Sequence, residues 1–146
     1  MSRHLSIYLL LLLSFPIGAA MADPEYTPSR VVYDISSGDE SRLHHLLDRA
    51  GLLQKLYGND PFEASIVLVI HEDAIPKFSS TDAGNRALIN RARDFALGEV
   101  IEFRLCRASA RLQGFDDADF ADFIRIVPMA DAEIVQMQQQ GYAYLR

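Results

Sequence analysis

Ser65-Ile-Val-Leu-Val-Ile70 is an almost unbroken apolar run of strand-forming residues. It lacks the alternation of a strand with one wet face. Such a run suits a strand covered on both sides, the usual state of strands in a parallel sheet. The segments around it fit that requirement. Arg30-Val-Val-Tyr-Asp-Ile35 reads as a first strand, and Leu43, Leu46, Leu47, Ala50 and Leu53 then recur at helical spacing. Ser37 followed by Glu40 has the spacing of a capping box for that helix, and Gly58-Asn-Asp-Pro61 closes it. After the apolar strand, Ala74 to Phe78 forms a short helical turn and Ser79-Ser-Thr-Asp82 offers N-cap residues. Leu88, Ile89, Ala92, Phe95 and Ala96 give the next helix its buried stripe.

The third unit is Val100 to Gly114. Val100 to Leu105 alternates as a strand, Arg107 to Gln113 is built of helix formers, and Gly114 is the stop. Phe115 to Phe120 is a short helix or turn. Phe123-Ile-Arg-Ile-Val127 is a fourth strand ended by Pro128, Ala130 to Gln140 a helix, and Tyr142-Ala-Tyr-Leu145 a short terminal strand. Strands alternating with helices predict an α/β sandwich around a mainly parallel sheet, although the pattern does not specify strand order.

The 146 residues predict one domain, and the charge of −6 with no basic stripe excludes an ordinary nucleic-acid-binding face. Residues 1–22 stand apart from it. Arg3 and His4 precede the apolar Leu5 to Leu13, Pro16 and Gly18 end that run, and Ala20-Met21-Ala22 has the small-x-small pattern. This predicts a secretory signal peptide cleaved after Ala22, hence a periplasmic or secreted protein with no membrane attachment after cleavage. The rival reading is an uncleaved membrane anchor, for which the apolar run is short and interrupted by Pro16. Residues 23–29 are a polar lead-in, and residues 30–146 the folded domain.

Cys106, the only cysteine, falls where the third strand gives way to helix. That junction lies at the carboxyl edge of a sheet, where ligands of open α/β sheets bind and where a helix start favours a thiolate. An exported chain with one thiol leaves three readings: buried and inert, reactive and free, or joined to another molecule. Arg104 and Arg107 could add positive field, or be solvated surface charges. His71 ends the apolar strand and could orient or deprotonate the thiol, or be hydrogen-bonded for structural reasons. Asp34 ends the first strand and could face the same edge. His44 and His45 are consecutive on a helix and diverge, so no metal site is expected. Ser36-Ser-Gly38 lacks a dinucleotide fingerprint, no nucleophile elbow is present, and no cofactor is expected.

Taken in order, Val31-Val-Tyr-Asp-Ile35, Ile66-Val-Leu-Val-Ile-His71, the strand ending Phe103 to Cys106, Ile126-Val-Pro128 and Gln138-Gln-Gln-Gly-Tyr-Ala-Tyr144 resemble the DsrE/DsrF-like family, including its exported members. The resemblance implies a three-layer α/β/α sandwich with a five-stranded parallel sheet, and association into dimers, trimers or hexamers. It also implies sulfur handling, with Cys106 at the position that accepts sulfur as a persulfide and exchanges it with a donor or acceptor protein. The alternative is a non-catalytic oligomeric binding module in which Cys106 only packs.

Overall fold

The computed structural model describes residues 26–146, so the expected signal peptide and its cleavage point lie outside the described residues. Five strands, β1 (Ser29–Ile35), β2 (Ala64–Ile70), β3 (Ile101–Cys106), β4 (Ile124–Val127) and β5 (Ala143–Leu145), form one sheet. Their order is β4-β3-β2-β1-β5 and every pairing is parallel. Among the described residues four α-helices connect or flank them: α1 (Glu40–Leu56), α2 (Arg86–Ala96), α3 (Arg107–Leu112) and α4 (Ala130–Gln139).

The strand order dictates where the helices lie. From β1 to β4 each step moves one place in the same direction, whereas the β4-to-β5 connection returns across the sheet to the far side of β1. Parallel crossovers are right-handed almost without exception, so reversing direction places the crossover helix on the opposite face. Accordingly Leu43, Leu47 and Ala50 of α1, Leu88 and Ala92 of α2 and Ala110 of α3 share one large core with Tyr33, Leu68, Phe103 and Leu105. Ala130, Ile134 and Met137 of α4 share a smaller one with Val32, Val67, Val69 and Cys106. The apolar run of β2 is thereby covered on both faces, with Leu68, Val69 and Ile70 fully buried. Consecutive strand residues alternate between the two cores because the side-chain period of a strand is two.

Local signals explain most boundaries. The first helix is capped by Asp39, whose carboxylate accepts the Arg42 N–H at 2.8 Å, rather than through the Ser37–Glu40 spacing. The Ser37 hydroxyl accepts the Asp39 N–H instead and shapes the preceding loop. Asp82 caps a single 3₁₀ turn (Ala83–Asn85) that leads into α2. Gly114 and Gly141 end their helices at φ +83° and +88°, a region open to glycine at no steric cost. Gly38 meets a different demand: a Cβ there would lie 2.4 Å from the Asp73 carbonyl oxygen, so the loop after β1 packs directly against the 3₁₀ segment (Glu72–Phe78) that follows β2.

Candidate functional site

The carboxyl edge of the sheet gathers the chemistry. Asp34 sits one residue before the end of β1, on the face covered by α4, and His71 directly follows β2 on the same face. The His71 N–H continues the β1–β2 ladder by donating to the Ile35 carbonyl at 2.9 Å. The two side chains meet, with His71 Nε2 at 2.5 Å from Asp34 Oδ1. The Tyr144 hydroxyl, arriving from β5 on the other side of β1, donates to Asp34 Oδ2. Burial by itself would push Asp34 up. The hydrogen bonds from His71 and Tyr144, with the charges of His71 and Arg146, outweigh it and hold the carboxyl below the ordinary carboxylate range. The same bond to Asp34, then burial and the Asp34 charge, push the Tyr144 phenol up.

Cys106 closes β3 one step beyond the Ile70–Leu105 pair, level with His71 on the neighbouring strand. Its thiol does not bond to the imidazole. Sγ is the side-chain cap of α3, accepting the Ser109 N–H at 3.4 Å, and it also accepts the Ala130 N–H at 3.3 Å. Met129, the residue before α4, offers no side-chain cap, so one sulfur serves the starts of two helices. The Ala108 N–H donates to the Pro128 carbonyl and ties the two helix starts together around it. The residue is 3% exposed and packs in the small core with Val69 and Ala130.

The two arginines singled out in the sequence are engaged elsewhere. Arg104 is buried and forks onto both Glu102 oxygens at 3.0 and 2.7 Å, while its other nitrogen reaches Glu133 on α4 and, at 3.3 Å, the Met137 sulfur. Burial disfavours its charge, but the two carboxylates outweigh that and push the guanidinium up. Arg107 turns outward and pairs with Asp117, Nη2 to Oδ2 at 2.7 Å. Neither guanidinium donates a hydrogen bond to the Cys106 sulfur, whose donors are the Ser109 and Ala130 N–H groups.

The structure therefore brings Asp34, His71 and Cys106 into one row along the sheet edge and adds Tyr144, which the sequence placed in a short terminal strand and in the run resembling the family, with no site role. Parity along the strands could have placed Asp34 and His71 on one face. The adjacency of β5 to β1, which delivers Tyr144, depends on strand order and had no local signal.

Beside this row, a cavity of about 320 Å³ opens under the carboxyl end of β1, lined by Asp34, Ser37, Arg42, His45, Arg49 and Arg146 among others. It lies where α1 leaves β1 in one direction while β5 flanks it on the other, the switch point at which open α/β sheets bind ligands. Among the described residues no group of three His, Cys, Asp or Glu side chains is arranged to hold a metal ion.

The comparisons agree with this architecture. A protein of unknown function, MTH1491 from Methanobacterium thermoautotrophicum, has a solved structure that superposes with a TM-score of 0.68 at 24% identity, covering 81% of this chain and 98% of that one. It shares the fold. Among curated proteins no relative matches. The profile of the DsrE/DsrF-like family matches residues 30–146, from the first strand through the terminal one. With the five-stranded parallel sheet, helices on both faces and a family match across the whole folded domain, the chain belongs to the DsrE/DsrF-like family, a family related to sulfur relay.

Proposed function

We propose that this protein handles sulfane sulfur at Cys106, as an exported carrier that exchanges it with a donor or acceptor protein. The supporting observation is the sulfur's setting, with two backbone N–H groups at helix starts converging on one Sγ. A neutral sulfur is a weak acceptor, yet two donors converge on this one. In the exchange, the Cys106 thiolate attacks the outer sulfur of a donor persulfide. The donor S–S bond breaks, the donor thiolate leaves, and a Cys106 persulfide anion forms with no net oxidation. Within this reading His71, oriented by Asp34, takes the thiol proton when the edge opens. Arg104 and Arg107 act through the fold, as the tie to α4 and the tie to Asp117.

The 3% exposure of Cys106 favours a second reading, a binding module in which the thiol only packs and caps. Thiol chemistry on the native protein separates the two. The carrier reading expects stoichiometric alkylation of the folded chain, abolished in Cys106→Ser, and a mass increase of one sulfur after treatment with a polysulfide donor. Labelling that requires denaturant, together with no added sulfur, overturns it. Export to the periplasm or beyond, and assembly into homo-oligomers, belong to the same proposal. A mature chain that begins at Asp23 and elutes as a multiple of its own mass supports them, and an unprocessed or monomeric chain counts against them.

A further inference from the structure

We infer that the cavity beneath the end of β1 binds a small ligand through an anionic oxygen group, a phosphate or a carboxylate. The chain as a whole is acidic, at −6, yet this cavity gathers Arg42 and Arg49 from α1 and Arg146 from beyond β5, with Asp34 as the carboxylate among its lining side chains. Elsewhere among the described residues Arg91, Arg93, Arg104, Arg107 and Arg125 each pair with an Asp or Glu, whereas Arg30, Arg86 and Arg111 do not. What sets the cavity apart is that three arginines without an Asp or Glu partner converge on it. Among the described residues Arg42, Arg49 and Arg146 have no such carboxylate within ion-pair distance.

The contacts these groups do make leave donors free. Arg49 lies over the Tyr33 ring, 5.5 Å from its centroid, and reaches a carboxyl oxygen of Arg146 with one nitrogen at 3.5 Å, leaving its remaining N–H groups free. Asp34 already accepts from His71 and Tyr144, so its charge is engaged on the sheet side. His45 and the Ser37 hydroxyl add further polar groups to the rim, while Ile35, Leu43 and Leu46 make an apolar wall. Guanidinium forks are suited to paired anionic oxygens. A volume of about 320 Å³ is at the small end for ligand pockets, so the occupant is a low-mass anion with a modest apolar body. Cys106 does not line this cavity, and Asp34 is the residue it shares with the sheet-edge row.

The test is isothermal titration of the full domain, residues 23–146, with inorganic phosphate and with butyrate as separate probes. The inference expects saturable one-to-one binding of at least one probe, weakening as sodium chloride is raised. Arg42→Gln should reduce affinity about tenfold or more, as expected when a charged hydrogen-bond partner is lost. Arg42 is exposed on α1, so that variant should fold, and unchanged circular dichroism checks it. Arg125→Gln, on the far edge strand, should bind as the parent does. Cys106→Ser should also bind normally, so failure of the sulfur proposal would not remove this one. Phosphate binding without butyrate binding assigns a phosphate-class ligand, and the converse assigns a carboxylate. Binding of neither probe overturns the inference, as does equal binding by the Arg42→Gln and Arg125→Gln proteins with a loss in neither.

Discussion

Replacing Arg104 by methionine tests what holds α4 to the sheet, and through α4 what covers Cys106. The Arg104 side chain is 9% exposed, Glu133 12% and Glu102 41%. Once the guanidinium is gone, Glu102 can turn to solvent and to Arg125, 3.5 Å away. Glu133 has no such exit. Breaking a buried ion pair from one side costs about 3–5 kcal/mol, because the other charge is left unpaired. Glu133 lies in the first turn of α4, where the helix dipole favours an acid, so the lower end, about 3 kcal/mol, is expected. With an m-value of about 1.5 kcal/mol/M, that moves a urea midpoint by about 2 M.

The pH dependence has a defined sign. Burial would raise Glu102, but the Arg104 hydrogen bond and charge, with Arg125, hold it below its ordinary 4.5. Its pairing therefore stabilises the native state above the unfolded value and is lost as pH falls through the folded one. The gap between parent and variant should hold at neutral pH and narrow as pH falls below the ordinary 4.5 and through the lower folded value. Adding Glu133→Leu should restore most of the stability, because replacing both partners by apolar groups is close to neutral. Arg104→Met alone should also speed alkylation of Cys106, since the Ala130 N–H that caps the sulfur belongs to the loosened helix. A loss below about 0.5 kcal/mol at pH 7, or a gap that persists in acid, refutes the account of α4 as electrostatically anchored.

Two further perturbations probe the sheet edge. Asp34→Asn removes the charge and leaves one acceptor oxygen where two hold His71 and Tyr144. Because the folded-state value of Asp34 is lowered, its stabilisation is present above the unfolded value near 3.8 and disappears as pH falls through the folded one, so the variant's acid unfolding limb should be shallower than the parent's. An ultraviolet titration should also show the Tyr144 phenol ionising at lower pH in the variant, and a phenol that does not move argues against the bond to Asp34. Gly38→Ala forces a Cβ against the Asp73 carbonyl, where backbone and not a flexible side chain must give way. A loss of about 1–3 kcal/mol is expected by thermal unfolding, as for overpacking in a core, and an unchanged midpoint would mean that the two loops separate freely.

Periodicity along the chain was enough to identify the α/β class, the apolar β2, the helix stripes of α1 and α2, and the placement of Cys106 at a strand-to-helix junction. Those features rest on local steric and hydrophobic rules that act within a few residues. Arg104 shows where such rules stop: its strand position was legible, but the Glu133 that neutralises it lies 29 residues away on a helix whose face is decided by crossover handedness. The Asp34–Tyr144 bond spans 110 residues and exists because the terminal strand lands beside β1. Cys106 makes the same point from the other side. Its sequence neighbours left it buried, reactive or linked, and only the return of the chain through Pro128 to Ala130 encloses the sulfur and supplies its second N–H. Local propensity acts over one turn or one strand. Which groups meet at a sheet edge depends on strand order and crossover direction, settled only when both faces of β2 are covered at once.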